Sequence, residues 1–263
     1  MRPRILSLTE AVHSIPNEGT ISLGGFDIVR APMALVFELT RQAGRVLDLV
    51  STPNPLAADL LIGTGLVQKA TLAFSGFQFE RGFAVGPMWK KAVEAGEIDY
   101  REIDAYSILC GLRAAAMGLP FIPLTDIDGS ELNDPARRRT VLNPFNGSEV
   151  TVTRPIEPDV ALIHAQAADR NGNLHIEDPI VDELVAKASK KVLVSTEKII
   201  DRIERPTIPF YLVDVIVESP RGAWPSACPG HYGADHEHIG LYMDMAGNGR
   251  FDDYRRRFIE SSA

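Results

Sequence analysis

Short apolar runs alternate with helical patterns through the first half of the chain, and this alternation constrains the fold more than any other feature. The runs at residues 20–23, 47–51, 71–74 and 98–103 are short enough to be strands. Helical patterns follow at residues 31–44, 55–62, 87–95 and 106–117. Strands and helices at this spacing need right-handed crossovers between parallel strands. We therefore predict an α/β fold, with an open, mostly parallel sheet and helices on both faces.

The middle of the chain shows a different pattern. Asn146-Gly147 lies between two alternating runs, which is a strong signal for a two-residue β-hairpin. Strands are again predicted at residues 159–165, 191–195 and 213–217, with a helix at 182–188. No repeat, linker or break in composition divides the chain. We predict one domain over residues 1–263 with a small β-rich insertion.

The charge balance excludes several classes of partner. Against 27 basic side chains the chain has 35 acidic ones, for a net charge of −8. Broad binding to nucleic acid or to an anionic membrane needs a basic face, so neither is expected. No run approaches the roughly 20 apolar residues that span a bilayer. No apolar signal region follows Met1, and two cysteines are too few for a disulfide scaffold, so a cytoplasmic location is expected.

Two motifs are candidates for ligand sites. Gly63-Thr64-Gly65 begins like a dinucleotide fingerprint, but Gln68 occupies the third glycine position, so the fingerprint fails. A cluster at residues 228–238 holds Cys228, His231 and three further groups of types that bind zinc. Only the first two are spaced like a ligand pair, and a loop that bonds its own backbone explains the cluster better. We expect no metal site.

The most informative stretch is a glycine pair at the end of a predicted strand. Gly24 and Gly25 follow the apolar run 20–23, and Phe26 and Arg30 come before a helix that starts near Pro32. Adjacent glycines at the carboxyl end of a strand let a ligand approach bare backbone amides. Ligands of open α/β sheets bind at that edge. A tight turn from strand to helix is the alternative explanation.

This stretch resembles the glycine-rich signature of the alpha subunits of family I coenzyme A transferases, in the glutaconate-transferase-like branch. Gly24-Gly25-Phe26 and Pro32 match the family pattern, while Arg30 stands where many members have glycine. The similarity continues through most of the chain, in the segments 113–123, 164–173, 195–200 and 218–225. The resemblance implies the coenzyme A transferase fold, with coenzyme A as a substrate and no other cofactor.

The resemblance also implies a mechanism. Family I transferases exchange CoA between an acyl-CoA thioester and a carboxylic acid through a glutamate nucleophile on the beta subunit. The Ser-Glu-Asn-Gly-like motif that carries this glutamate is absent, since Ser130-Glu131 is followed by leucine. The chain then needs a beta partner, in an assembly of two alpha and two beta chains. The amides of Gly24, Gly25 and Phe26 would bind the thioester oxyanion, and Arg30 would bind the substrate's distal carboxylate.

Two alternatives follow from the same resemblance. A related branch hydrolyses steroid-derived CoA thioesters and opens their rings with a glutamate on the alpha chain. Glu102 is a candidate for that general base, although the alignment could equally place Ala105 there and a solvated strand-end glutamate explains it as well. A regulatory module that binds sugar phosphates is the non-enzymatic alternative. Such modules usually carry a DNA-binding segment, for which the length and charge leave no room.

Overall fold

The structure is a computed structural model that describes residues 3–42, 44–125 and 136–260, without the side chain of Glu102. Ser130-Glu131 therefore lies outside the described residues. The described strands are β1 (Arg4–Ile5), β2 (Glu18–Leu23), β3 (Val46–Ser51), β4 (Val67–Leu72), β5 (Gly76–Phe79), β6 (Gly82–Val85), β7 (Asp99–Glu102), β8 (Ile122–Pro123), β9 (Arg138–Leu142), β10 (Glu149–Thr153), β11 (Val160–Ala165), β12 (Ala167–Asp169), β13 (Leu174–His175), β14 (Lys191–Thr196), β15 (Ile199–Ile200) and β16 (Val215–Glu218).

The helices lie between these strands and at the end of the chain. The described α-helices are α1 (Leu8–His13), α2 (Met33–Arg41), α3 (Pro55–Gly63), α4 (Pro87–Glu94), α5 (Ala105–Ala116), α6 (Asp182–Ala188), α7 (His236–Gly247) and α8 (Phe251–Tyr254). A 3-10 turn spans Phe210–Leu212, and a π-helical segment, Arg255–Ile259, continues α8. In the described part of the chain, no helix is long and apolar enough to cross a membrane.

An eight-stranded sheet organises these elements, and all its strand pairs are parallel. The strand order is β1-β16-β14-β11-β2-β3-β4-β7. From β2 the chain first builds outward through β3 and β4 to β7. It then returns to the other side of β2 with β11 and builds outward again through β14 and β16. The sheet order therefore reverses between β2 and β11, which is where open α/β sheets bind their ligands.

Two apolar clusters cover the two faces of this sheet. One buries Ile21, Leu47 and Leu49 under the helices near the two ends of the chain, and the other buries Val50, Ile163 and the apolar residues of α5 and α6. All six residues of β11 are buried, as expected for a central parallel strand. The predicted parallel sheet with helices on both faces is confirmed. That residues 1–263 form one domain stays a prediction.

Most predicted elements occur within a few residues of their expected positions, with two differences. The hairpin at Asn146-Gly147 exists as β9 and β10, but Leu142 pairs with Glu149, so six residues connect the strands and not two. Residues 236–247, where no helix was predicted and where His236 and His238 were placed in a loop, form α7. The Asp235 side chain accepts from the His238 amide and caps this helix, a signal that the glycines and histidines of the segment obscured.

Candidate functional site

The glycine pair lies directly after β2, at the carboxyl end of a strand as the sequence predicted, and the structure places this strand at the reversal point of the sheet. The backbone amides of the pair are not open to a ligand. Each of the three amides predicted to bind an oxyanion donates to an acceptor within the protein: Gly24 N to Leu162 O at 2.8 Å, Gly25 N to Asp182 Oδ1 at 2.8 Å, and Phe26 N to Val29 O at 2.9 Å. This geometry does not favour the oxyanion role of Gly24 and Gly25, which stays a prediction.

The turn itself explains why both residues are glycine. Gly25 has a φ of +79°, and a Cβ atom there would lie 2.5 Å from the carbonyl oxygen of Arg30. A Cβ atom on Gly24 would lie 2.7 Å from Asp182 Oδ1. Both distances are shorter than any tolerable contact, so side chains at these positions would displace the backbone or the Asp182 carboxylate.

Arg30 is buried completely, with no exposed surface. Its Nη1 lies 2.9 Å from Asp182 Oδ2, its Nη2 donates to the carbonyl oxygen of Asp178, and its φ is +53°. The same Asp182 carboxylate thus holds both Arg30 and the Gly25 amide. The structure places Arg30 inside the protein as the counter-ion of Asp182, which does not favour its predicted contact with a substrate carboxylate.

Glu102 is the last residue of β7, at the edge of the sheet, where it pairs with Leu72 of β4. Its backbone is therefore at the carboxyl end of a strand, as expected. Its side chain lies outside the described residues, so its predicted role as a base stays a prediction. In the sheet, four strands separate β7 from β14, so Glu102 is far from the carboxyl end of β14.

A buried hydrogen-bonded network lies beside the glycine turn, and sequence reasoning missed its chemistry. His164, on β11, has its Nε2 2.9 Å from Glu197 Oε1 and its Nδ1 2.9 Å from Ser195 Oγ. The Glu197 carboxylate also accepts from the Tyr232 hydroxyl at 2.5 Å and from the Arg221 amide at 2.8 Å. We call these five residues the His164–Glu197 network.

The network connects three consecutive strand ends. His164 and Ser195 pair in register on β11 and β14, Glu197 follows β14, and Arg221 and Tyr232 belong to the segment after β16. That segment also holds the glycine turn, because the amide of Arg30 donates to the carbonyl oxygen of Ala227. The network therefore fixes the carboxyl edge on both sides of the reversal point.

Burial and hydrogen bonding set the charges of this network. Burial lowers the pKa of His164 despite the opposing effect of Glu197, which favours a neutral ring that donates from Nε2 and accepts from Ser195 at Nδ1. Burial opposes ionisation of Glu197, but the bonds from His164, Tyr232 and the Arg221 amide outweigh it and lower its pKa to about 2. Burial, and then the bond to Glu197, raise the pKa of Tyr232. The network holds one negative charge, on Glu197.

The residues that could bind a metal in the structure differ from the cluster at residues 228–238 that the sequence offered. Among the described residues, only His164, Glu197 and Cys228 bring three ligand atoms within 4.8 Å of one another. Both ring nitrogens of His164 already have partners, and burial, followed by the Glu197 charge, raises the pKa of Cys228 to about 12. To hold an ion, this cluster would have to break the bond of His164 to Ser195 or to Glu197, and the Cys228 thiol would have to lose its proton.

Several polar groups at the same edge escaped sequence reasoning. Within the described part of the chain, Thr52 Oγ1, Asn54 Oδ1 and Gln166 Oε1 are buried side-chain atoms without a hydrogen-bond partner. Asn54 is joined to the glycine turn through its Nδ2, which donates to Gly24 O at 2.6 Å. Asp27, next in the turn, is half-buried, and burial raises its pKa. Only the approach of three distant strand ends creates these sites, which no local motif marks.

Comparison with known proteins places the chain among enzymes of coenzyme A. The family model described as Coenzyme A transferase matches residues 5–219. The cholesterol ring-cleaving hydrolase IpdA subunit of Rhodococcus jostii is 34% identical, and the match covers 93% of this chain and 88% of that protein. The A-type chain of glutaconate CoA-transferase from Acidaminococcus fermentans is 33% identical, with 91% of this chain and 82% of that protein covered.

Solved structures agree with these sequence similarities. A variant of the decarboxylase AibA/AibB contains a chain that is 43% identical, with 97% of this chain and 98% of that chain covered and a TM-score of 0.94. The glutaconate CoA-transferase of Acidaminococcus fermentans superposes with a TM-score of 0.86. A relative from Archaeoglobus fulgidus is 33% identical over 93% of this chain, which spans only 56% of that longer protein.

Proposed function

The chain belongs to the coenzyme A transferase family, and on that premise we propose that it is the alpha-type subunit of a two-chain enzyme. The enzyme exchanges CoA between an acyl-CoA thioester and a carboxylic acid. The family match over residues 5–219 carries this proposal, since it includes the glycine turn and the strands that present His164 and Glu197. The position of these groups at the reversal point of the sheet supports it.

The nucleophile of the proposed reaction is a glutamate of a beta-type partner. The Asp182 carboxylate, which is bonded to the glycine turn, is paired with Arg30, and the Glu197 carboxylate of the network accepts from three donors. Neither is available to attack a thioester. The relative from Acidaminococcus is named as one of the subunits of its transferase, which supports a second chain. An assembly of two alpha and two beta chains in the cytoplasm is part of the proposal.

In this proposal the active site lies between the two chains, and this chain forms one side of it with groups that are held in fixed positions. The partner's carboxylate attacks the thioester carbonyl and expels the CoA thiolate, which leaves the acyl group in an anhydride with the glutamate. The thiolate then attacks the glutamyl carbonyl of the anhydride, which releases the first carboxylate and leaves CoA on the glutamate until the incoming carboxylic acid takes it up. Groups that bind the developing oxyanion must be fixed before the reaction to be effective. The amides of Gly24 and Gly25 are engaged, so the unpartnered hydroxyl of Thr52 is the alternative donor at this edge. The unpartnered oxygens of Asn54 and Gln166 only accept hydrogen bonds, so they would contact donor groups of a substrate and not an oxyanion.

The comparisons favour one second candidate. The similarity to the IpdA protein of Rhodococcus, at 34% identity, supports a CoA-thioester ring-cleaving hydrolase of the steroid-degradation type. Water then replaces the carboxylic acid as the acceptor, and Glu102 of this chain acts as the base. Both candidate reactions use a CoA thioester and a partner chain. They differ in the acceptor, which is a carboxylic acid in the transferase and water in the hydrolase.

One experiment separates the candidates. The chain is purified with the beta-type protein encoded beside it and is incubated with acyl-CoA and ¹⁴C-labelled carboxylic acid. A transferase moves the label into the CoA thioester fraction without net release of thiol. A hydrolase releases thiol, or opens a ring with incorporation of ¹⁸O from water, and leaves the labelled acid unchanged. Loss of carbon dioxide without either result would contradict both candidates and favour a decarboxylase like AibA/AibB.

A further inference from the structure

The buried carboxamide side chains of the protein lie at one place in the fold. Among the described residues, Asn54 and Gln166 are the only buried asparagine and glutamine, with exposed fractions of 1% and 3%. Asn54 follows β3 and Gln166 follows β11, so the two residues lie on either side of β2 at the carboxyl edge of the sheet. They therefore flank the turn of Gly24 and Gly25, where the proposed function places the active site.

The two carboxamides are held in the same way. The nitrogen of each donates to a backbone carbonyl oxygen, Asn54 Nδ2 to Gly24 O at 2.6 Å and Gln166 Nε2 to Pro229 O at 3.4 Å. A carbonyl oxygen only accepts, so each bond fixes which end of the carboxamide is the nitrogen. The other ends, Asn54 Oδ1 and Gln166 Oε1, have no partner within the described part of the chain. Each side chain thus presents an unpaired acceptor.

A buried acceptor that lacks a donor destabilises a folded protein. The group loses its bonds to water and gains none in return, so most buried polar atoms of proteins are paired. Asparagine and glutamine are moreover mostly exposed in proteins. Two unpaired carboxamide oxygens on either side of one turn at a ligand-binding edge therefore indicate a ligand that donates hydrogen bonds to them.

A charged acceptor lies in the turn itself. Asp27 is half-buried, and its amide donates to the carbonyl oxygen of Pro53, which joins it to the loop that holds Asn54. Over residues 3–42, 44–125 and 136–260, no cation is paired with the Asp27 carboxylate. Residues 26–29 are all partly exposed, so a ligand can approach the turn from this side. The Asp27 carboxylate adds a negative charge to the two neutral acceptors.

We propose that these oxygens bind a hydrogen-bond donor on the chain of the substrate acid, so that the enzyme acts on hydroxy or amino carboxylic acids. This inference rests on the proposed function, because it assigns the oxygens to the substrate of that active site. A hydroxyl group donates one hydrogen bond and an ammonium group three, and neither needs a cation from the protein. A second carboxylate on the substrate would instead meet acceptors. Sites that bond a substrate hydroxyl or amine reject analogues that lack the group.

Calorimetric titration of the assembled enzyme with free acids tests the proposal. The probes are butyrate, 4-hydroxybutyrate, 4-aminobutyrate and succinate, together with the corresponding five-carbon acids. We expect the hydroxy or the amino acid to bind about fivefold to tenfold more tightly than the unsubstituted acid of equal length, because it gains a bond to a buried acceptor. Asp27→Asn removes a negative charge and should weaken the amino acid more than the hydroxy acid, which distinguishes the two donors.

Substitutions of the carboxamides show whether they cause this preference. Asn54→Leu and Gln166→Met are similar in size and remove the acceptor, so each should reduce the preference for the donor-bearing acid by about fivefold. Asn248→Leu is the matched control, because Asn248 Nδ2 also donates to a backbone carbonyl oxygen, that of Asp244, at an exposed site. Thermal unfolding shows which variants fold. Gln166→Met decides the test if Asn54→Leu does not fold, since the bond to Pro229 is the longer of the two.

Four results would each overturn the proposal: equal affinity for substituted and unsubstituted acids, tighter binding of the dicarboxylic acids, an equal loss in Asn248→Leu, or an unchanged preference in both carboxamide variants. A loss confined to the binding of pantetheine would assign the two oxygens to the CoA arm and would also overturn it. Binding is measured without acyl-CoA, so a failed titration leaves the proposed transfer reaction intact. An enzyme that binds these acids and transfers no CoA would contradict the proposed function alone.

Discussion

The guanidinium group of Arg30 lies 2.9 Å from the carboxylate of Asp182, and the exposed fractions of the two side chains are 1% and 0%. The Asp182 Oδ1 atom also accepts from the Gly25 amide at 2.8 Å. One buried ion pair therefore joins the glycine turn after β2 to the first residue of α6. The positive charge of Arg30, which was expected to bind a substrate carboxylate, instead stabilises this turn.

Replacement of Arg30 by methionine should destabilise the protein by about 3–5 kcal/mol, because it leaves the buried Asp182 carboxylate without its counter-ion. Arg81→Met is the matched control. Arg81 pairs with Asp244 at 2.8 Å, but both side chains are more than half exposed, and such pairs contribute about 0–1 kcal/mol. Urea unfolding of both variants measures the difference. Equal stability of the two variants, with a loss of activity confined to Arg30→Met, would instead support the substrate-binding role.

Glu197 should stabilise the folded chain above pH 4.5 and lose this effect as the pH falls towards 2. Its pKa is about 2 in the folded protein and 4.5 in a free side chain, so the unfolded chain binds more protons in this window. The two values correspond to about 3 kcal/mol at neutral pH. In urea unfolding, Glu197→Gln should reduce the rise in the free energy of unfolding between pH 3 and pH 5, while the other carboxylates of the chain keep their contributions. The exposed Glu183→Gln should retain it, and an unchanged slope in Glu197→Gln would contradict the prediction.

Asp59 should have the opposite effect on the pH dependence of the free energy of unfolding. Burial raises its pKa to about 6, although its carboxylate accepts from the Tyr242 hydroxyl and from the amides of Met88 and Trp89. The folded chain then binds more protons than the unfolded chain between pH 3.8 and 6, and the free energy of unfolding should fall as the pH rises through that window, by about 3 kcal/mol.

The Asp59→Asn variant isolates this effect. We expect its free energy of unfolding to change less than that of the unmodified protein between pH 4 and pH 7, because the asparagine does not ionise. Asp244→Asn, at an exposed site, is the control and should follow the unmodified protein. A pH profile of Asp59→Asn that is parallel to the unmodified one would show that Asp59 titrates normally.

Glu102→Ala distinguishes the two proposed reactions by steady-state kinetics on the assembled enzyme. If the enzyme is a transferase, the glutamate of the partner carries the reaction, and this variant should retain turnover within about threefold of the unmodified enzyme. A general base typically contributes about 10²–10⁴-fold, so a hydrolase should lose that much. Glu97→Ala, at an exposed position before β7, is the matched control. A loss of transfer activity in Glu102→Ala alone would contradict the division of roles between the chains.

Local patterns were sufficient for the elements that position the site. The helix Asp182–Ala188 and the buried strand β11 both occur where the sequence indicated them. The order of the strands in the sheet, with its reversal point between β2 and β11, was not predicted, because it depends on pairing between strands distant in the sequence. The family resemblance rested on the same local motifs, and the family match confirmed it.

The chemistry of the site required contacts that no local pattern encodes. Arg30 was expected to bind a substrate carboxylate because it stands beside the glycine turn where many family members have glycine, yet Asp182 neutralises it from a distant segment. His164 and Glu197 lie at the ends of neighbouring strands. The pKa of each depends on burial and on hydrogen bonds from residues that are distant in the sequence.

The sequence by itself determined that the chain folds as a parallel α/β sheet with a glycine turn at its ligand-binding edge, because hydrophobic periodicity and turn chemistry act over a few residues. Tertiary structure alone decided which polar groups at that edge are engaged and which are unpartnered. Desolvation and pairing arise only when residues distant in sequence are packed together, and these effects set the charge and availability of each group.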